Sequence, residues 1–168
     1  MGFNRYYATT KKEYNGIVFD SGAEVKRYRI LVEAQKRGLI SDLRLQVVFT
    51  LIPKQTEPVE VKLKTKTKIV ERFREHPVTY AADFVYIKDG KEVIEDQKSP
   101  GVPLPDDYII KRKLMLFQGR QIKEVYDYTD DFPEIAQYLQ IDPPKQKKKK
   151  PKKEPKPKDH FDTPGLFE

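Results

Sequence analysis

The 168-residue chain contains no cysteine, which excludes a disulfide framework and a cysteine metal cluster and suits a reducing compartment. Histidine is nearly absent as well. His76 precedes a proline and His160 lies in a polar terminal stretch, so neither belongs to a zinc-ligand spacing and both read as surface residues. No apolar run approaches the roughly 20 residues that span a bilayer, and nothing near the N-terminus has the apolar core of an export signal. A soluble, unexported, cytoplasmic protein without a membrane partner is the expectation. Apolar residues make up 38% of the chain, enough for one domain with a core alongside extended polar regions.

The net charge of +7 is unevenly spread. Residues 143–168 hold nine lysines against four acids, a surplus of five that leaves two positive charges for the rest. The run 145–158, with Lys147, Lys148, Lys149 and Lys150 at its centre and Pro151, Pro155 and Pro157 interleaved, cannot bury enough apolar surface to fold. The expected division is a domain over 1–142 and a disordered basic tail over 143–168. Such a tail attracts nucleic acid through counterion release without reading sequence; a solubilising tail or a nuclear-import signal are the alternatives.

Local signals order the domain. Ser21-Gly22-Ala23-Glu24 has the form of a capping box, Ser21 accepting from first-turn amides and Glu24 reaching back, and predicts a helix that stops at Gly38. Residues 43–52 read as a strand with Val47, Phe49 and Leu51 on one face and Gln46, Val48 and Thr50 on the other, closed by Pro53. A basic β excursion over 54–79 follows. Within it, residues 59–69 alternate so cleanly that Lys62, Lys64, Lys66 and Lys68 are predicted to line one strand face, as a protected edge or a phosphate-contacting surface. After a proline-rich loop over 99–105, Asp106 or Asp107 is predicted to cap a helix reaching about Gln118. A strand over 121–126 and a short helix opened by Pro133 complete the domain. This order suggests an α/β fold with a mixed central sheet flanked by helices.

Between residues 81 and 98 the sequence AADFVYIKDGKEVIEDQK carries Asp89-Gly90, the strongest short signal for a two-residue hairpin turn. That turn sets Lys88 beside Lys91, Tyr86 beside Val93, and hence Asp83 beside Asp96. Side-chain alternation adds Lys98 to the face of Asp96 and sends Glu95 to the other. Two carboxylates on directly opposed positions, with Cβ atoms roughly 4.5–5.5 Å apart, destabilise each other unless compensated, and a divalent cation would compensate them. The alternative is an ordinary hairpin with solvent-facing carboxylates, and a three-residue loop or a bulge would break the alignment.

An acid on an early helix, then Asp83, then Asp96-Gln97-Lys98 on the next strand resembles the PD-D/ExK nuclease superfamily, whose restriction-endonuclease-like core runs helix, strand meander, helix, strand. The phrases YNGIVFDSGAEVKRY, YAADFVYIKDGKEVIEDQK and YIIKRKLM are similar to a phage and prophage family of unknown function within it. The likeness spans roughly 14–126 and omits the tail. Ala82 stands where the superfamily name has proline. The resemblance implies Mg²⁺, or Mn²⁺ in its place, held by Asp83, Asp96 and the main-chain carbonyl of Gln97. Lys98 would orient the attacking water and stabilise charge on the phosphoryl oxygens. It also implies a metal-linked role for Glu24, in competition with the capping box. Gln46 matches a strand glutamine near the centre of some relatives, with a buried, hydrogen-bonded structural residue as the alternative. Lys111 and Lys113 are candidates for phosphate contacts, or a solvated helix face.

The resulting expectation is a Mg²⁺-dependent DNA endonuclease, phage-encoded, acting in the bacterial host cytosol, and structure-specific in the manner of junction resolvases. A non-catalytic nucleic-acid-binding or clamp-recruited adaptor and an RNA-cleaving nuclease are the alternatives. Leu166-Phe167 resembles the end of peptides that dock into bacterial sliding clamps, although Thr163 stands where those carry glutamine. Many relatives cut as dimers, so a homodimer is a further expectation.

Overall fold

The computed structural model describes residues 11–145; Lys147, Lys148, Lys149, Lys150, Leu166 and Phe167 lie outside the described residues. A small hairpin opens this part of the chain, β1 (Lys12–Tyr14) and β2 (Ile17–Phe19). Its turn residues Asn15 and Gly16 have φ of 53° and 76°, the left-handed pair that a two-residue hairpin turn requires. Helix α1 (Gly22–Lys36) starts where expected, the Ser21 hydroxyl accepting from the Glu24 amide at 3.2 Å. It stops before Gly38, whose φ of 72° is open to glycine at little cost.

Eight further elements follow: β3 (Ser41–Ile52), β4 (Gln55–Lys62), β5 (Thr67–Glu75), β6 (Val78–Lys88), β7 (Lys91–Gln97), α2 (Asp106–Phe117), β8 (Ile122–Val125) and α3 (Pro133–Tyr138). The central sheet has the order β3-β6-β7-β8 and is mixed, antiparallel through β7 and parallel between β7 and β8. That parallel pair needs a crossover, and α2 provides it. One face of the sheet packs Phe84 and Tyr86 against Ile30, Leu31 and Ala34 of α1 and Ile135 of α3. The other packs Val85 and Ile94 against Tyr108 and Met115 of α2. The expected α/β domain with helices on both faces is therefore present. Asp106 and Asp107 are not caps: Pro105 occupies the N-cap position without a side-chain hydrogen bond, and both acids sit in the first turn, where their charge suits the helix dipole.

The predicted strand over 59–69 is corrected. The chain reverses at 63–66, where the Leu63 amide donates to the Lys66 carbonyl at 2.8 Å, so β4 and β5 form a separate two-stranded sheet. Lys62 pairs with Thr67 and Lys68 with Val61, which puts these two lysines on opposite faces, while Lys64 and Lys66 lie in the turn. Alternation alone could not reveal the reversal, because no glycine or proline marks it. The lysines crown the tip of an arm.

This arm prolongs the central sheet. The pairing of β3 with β6 runs to Ile52 and Val78, and resumes from Gln55 and Glu75 into β4 and β5, broken around Pro53 and Pro77 and shifted in register between Thr50 and Ile52 and between Gln55 and Thr56. Within the sheet proper, Leu43 and Leu45 belong to the α1 side whereas Val47, Phe49 and Leu51 belong to the α2 side. Residues of one parity cannot change face in a regular strand. The change falls at Gln46, whose φ is 49°, and is matched on β6, where Phe84 faces α1 but Tyr80 and Ala82 face α2.

Candidate active site

The ladder between β6 and β7 pairs Lys88 with Lys91, Tyr86 with Val93 and Phe84 with Glu95, the register expected from Asp89-Gly90, whose φ values are 51° and 73°. Asp83 and Asp96 come next along the two strands. Instead of continuing the ladder, the Asp83 side chain caps it, its Oδ2 accepting from the Gln97 main-chain amide at 2.8 Å. Asp96 is buried and its Oδ2 accepts from the Tyr80 hydroxyl at 3.0 Å. Lys98 Nζ approaches the same oxygen to 2.9 Å and lies 3.6 Å from the centre of the Tyr108 ring. The β7 strand is held in place past its end by the Lys98 amide donating to the Val125 carbonyl at 2.8 Å.

Burial and the neighbouring Asp96 charge push the Asp83 carboxyl up to about 8, with Glu24 adding to the effect and the Gln97 amide opposing it. Burial likewise raises Glu24, against the hydrogen bonds it accepts. Glu24 serves the cap and flanks the acids at once: its Oε1 accepts from Ser21 at 2.7 Å and its Oε2 from the Asp20 amide at 3.0 Å. A cavity of ≈190 Å³ opens between Ser21, Glu24, Gln97, Lys98 and the proline-rich loop through Pro105. Gln97 Oε1 is buried and has no hydrogen-bond partner. Among the described residues, no group of three His, Cys, Asp or Glu side chains is gathered closely enough to hold an ion, so Asp83 and Asp96 stand as a pair with Glu24 engaged in its cap.

The remaining predicted residues fall elsewhere. Gln46 occupies the position opposite Asp83, between the Leu45–Phe84 and Val47–Ala82 pairs, but it is exposed, which removes the reading of a buried structural glutamine: its left-handed backbone turns it out of the sheet. Lys111 is paired with Asp107 at 3.5 Å on α2. Lys113 is exposed and, with Arg112 and Glu124, lines a larger cavity of ≈460 Å³. That space is the bigger of the two, but the smaller one is lined by Glu24, Gln97 and Lys98, the immediate neighbours of the acid pair, so the chemistry is assigned there.

Residues 4–130 match the family described as "Protein of unknown function (DUF1064)". The chain belongs to the DUF1064 family. No curated protein and no solved structure matches it. The matched stretch of this DUF1064 chain contains the whole acid pair and its neighbours, and it ends before the lysine-rich tail.

Several members of the site carry no signal in the sequence. Tyr108 donates to Glu124 Oε1 at 3.1 Å, and Arg112 Nη1 reaches the same oxygen at 2.5 Å. Burial and the charges of Asp96 and Glu124 raise the Tyr108 hydroxyl; for Glu124 the bonds from Arg112, Tyr126 and Tyr108 outweigh burial and hold it low. Behind the site, Glu95 and Arg27 form a fully buried pair, with Arg27 Nε 2.5 Å from Glu95 Oε1 and Nη2 2.7 Å from Oε2, and the Tyr86 hydroxyl 2.8 Å from Oε2. Strand parity does put Glu95 opposite Asp96, but nothing in the sequence links Arg27 to it across 68 positions. Tyr80 is hidden for another reason: simple alternation assigns it to the face opposite Asp83, and the change of face at Gln46 reverses that.

Proposed function

We propose that this protein is a Mg²⁺-dependent nuclease acting on DNA, with Asp83, Asp96 and Lys98 at its centre. The observation that carries the reading is the meeting of Asp83 and Asp96 at the end of one hairpin, with Lys98 on Asp96, where burial first and the Asp96 charge second push the Asp83 carboxyl up to about 8, beside a buried amide oxygen without a partner. Native proteins rarely keep buried carboxyls and unpaired acceptors together unless a cation or reaction uses them. The donors fit Mg²⁺, which takes hard oxygen ligands and keeps several waters, and the adjacent ≈190 Å³ cavity far exceeds the roughly 10–15 Å³ that one water needs. Asp83 and Asp96 would hold the ion, with the Gln97 carbonyl nearby.

When bound, Mg²⁺ supplies Lewis acidity toward a phosphoryl oxygen and lowers the pKa of its water. Lys98, on the Asp96 side, presents a cation to charge developing on the phosphate, and its ammonium is oriented by Asp96 and the Tyr108 ring. Tyr80 fixes the Asp96 rotamer through its hydroxyl. Glu24 adds negative charge at the cavity edge. The element order and these positions support the resemblance to a restriction-endonuclease-like core, and the lysine-rich arm and tail favour a polyanionic substrate.

The test incubates wild type and Asp96→Ala with labelled duplex, nicked, branched and single-stranded DNA and RNA in Mg²⁺, Mn²⁺ or EDTA. Wild type should cleave DNA only with metal, and Asp96→Ala should lose at least about 100-fold, the scale of a lost electrostatic catalytic group. Equal activity of the two proteins, or activity persisting in EDTA, would sink the proposal. Cleavage confined to RNA would replace DNA by RNA as substrate, and DNA binding without any cleavage would favour an adaptor.

A further inference from the structure

The arm formed by β4 and β5 has no role in holding the fold together. Its strands pack almost wholly on each other, and most of its side chains are exposed on both faces. An isolated two-stranded hairpin is at best marginally stable in water, so a ribbon of this length with no core beneath it is not explained by stability. Its charge is also segregated. The ion pair near its base joins Arg74 to Glu57, whereas residues 62–68 carry four lysines and no acid. Leu63 between the lysines, and Val61 and Ile69 beside them, are exposed apolar side chains.

We propose that this arm is a duplex-DNA reader that lies in the major groove, with its lysine tip gripping the flanking phosphates. The inference rests on the nucleic-acid reading of function and adds the class of substrate and its placement. Two strands about 4.8 Å apart with side chains on either side match the roughly 12 Å width of the B-DNA major groove, which admits a two-stranded ribbon. The major groove of A-form RNA is too narrow and deep for it. Lysines on both faces and around the tip suit a groove whose phosphate walls lie on both sides. The apolar side chains suit thymine methyl groups.

Because β5 leads directly into β6, the arm and the acid pair share one strand path. Sixteen residue steps separate Thr67 from Asp83, and at about 3.3 Å each they limit the separation to roughly 50 Å. With DNA rising about 3.4 Å per base pair, tip and site bound to one duplex lie at most roughly 15 base pairs apart.

The experiment uses the full chain in EDTA, so that binding is read without cleavage. A fluorescein-labelled 30-base-pair DNA duplex is titrated by anisotropy at several salt concentrations, beside a single strand and an RNA duplex of equal length. Replacing Lys62, Lys64, Lys66 and Lys68 by Gln should weaken duplex binding at least about tenfold at 100 mM salt. It should also reduce the log–log salt slope by about 2–4, at about 0.9 for each phosphate that is no longer neutralised. Unchanged affinity and slope, or an equal loss on single strand and RNA duplex, would overturn the proposal. A second readout needs no variant: on wild type, the duplex should shield these four lysines from acylation as read by mass spectrometry, and absence of shielding would overturn it too. A chain that binds duplex through the arm yet never cleaves with Mg²⁺ removes the nuclease reading alone. One that cleaves without arm shielding removes the arm alone.

Discussion

Asp83 bears the electrostatic tension of the site, and its titration is therefore the most direct residue-level test. Its carboxyl is raised to about 8 from an unperturbed value of 3.8, by burial first and by Asp96 second. The sign follows from proton counting. Between these two values the unfolded chain has lost the proton that the folded one keeps, so this group's contribution to stability is present below pH 3.8 and is lost as pH rises to about 8. Without metal, Asp83→Asn should flatten that part of the pH dependence of thermal unfolding. On the proposed Mg²⁺ site the ion would displace the proton, and the Mg²⁺ concentration that half-restores stability should then fall about tenfold per pH unit from about pH 6 to 8 and level off. A wild-type midpoint independent of pH would contradict the assignment of the proton to Asp83.

Among elements, the joint between α1 and β7 rests on Arg27 and Glu95. Arg27 also donates to the main-chain carbonyls of Tyr128 and Asp130, tying the loop before α3 to the same point. Arg27→Met would leave a buried carboxylate without its partner and should cost about 3–5 kcal/mol in urea unfolding, whereas Arg27→Met combined with Glu95→Met should recover much of that loss. A cost below about 1 kcal/mol for the single change would mean that water reaches Glu95. The contrast with the acid pair shows what is legible in the sequence at this scale. Turn chemistry is local, so Asp89-Gly90 discloses the hairpin, its register and the meeting of Asp83, Asp96 and Lys98. Ser21 and Glu24 disclose the start of α1 in the same way. Arg27 with Glu95, and Tyr108 with Glu124, are tertiary meetings that no local signal encodes. The turn at 63–66 is concealed because lysine and threonine continue the alternation straight through it. Asn15-Gly16 is a signal equal in kind to Asp89-Gly90, but the strands it joins are only three residues each, too short for alternation to mark them.

At the scale of the whole molecule, the net positive charge is concentrated at two places, the arm tip and residues 143–168, with the acid pair in the domain between them in sequence. No helix among the described residues is long and apolar enough to cross a membrane. If both basic regions serve one polyanion, removing residues 146–168 should weaken DNA binding and lower its salt slope while leaving Mg²⁺-dependent cleavage at saturating DNA intact. Loss of cleavage under saturation, measured as single-turnover rate, would instead make the tail part of the catalytic unit. The change of face at Gln46 has a further consequence for the molecule as a whole. The two cores on opposite sides of the sheet hang from the same pair of strands, β3 and β6, so neither can melt without loosening the backbone ladder that the other requires. The domain is thereby bound to open as a single cooperative unit, while the arm beyond Pro53 and Pro77, with no core of its own, is free to fray and re-form on its own timescale.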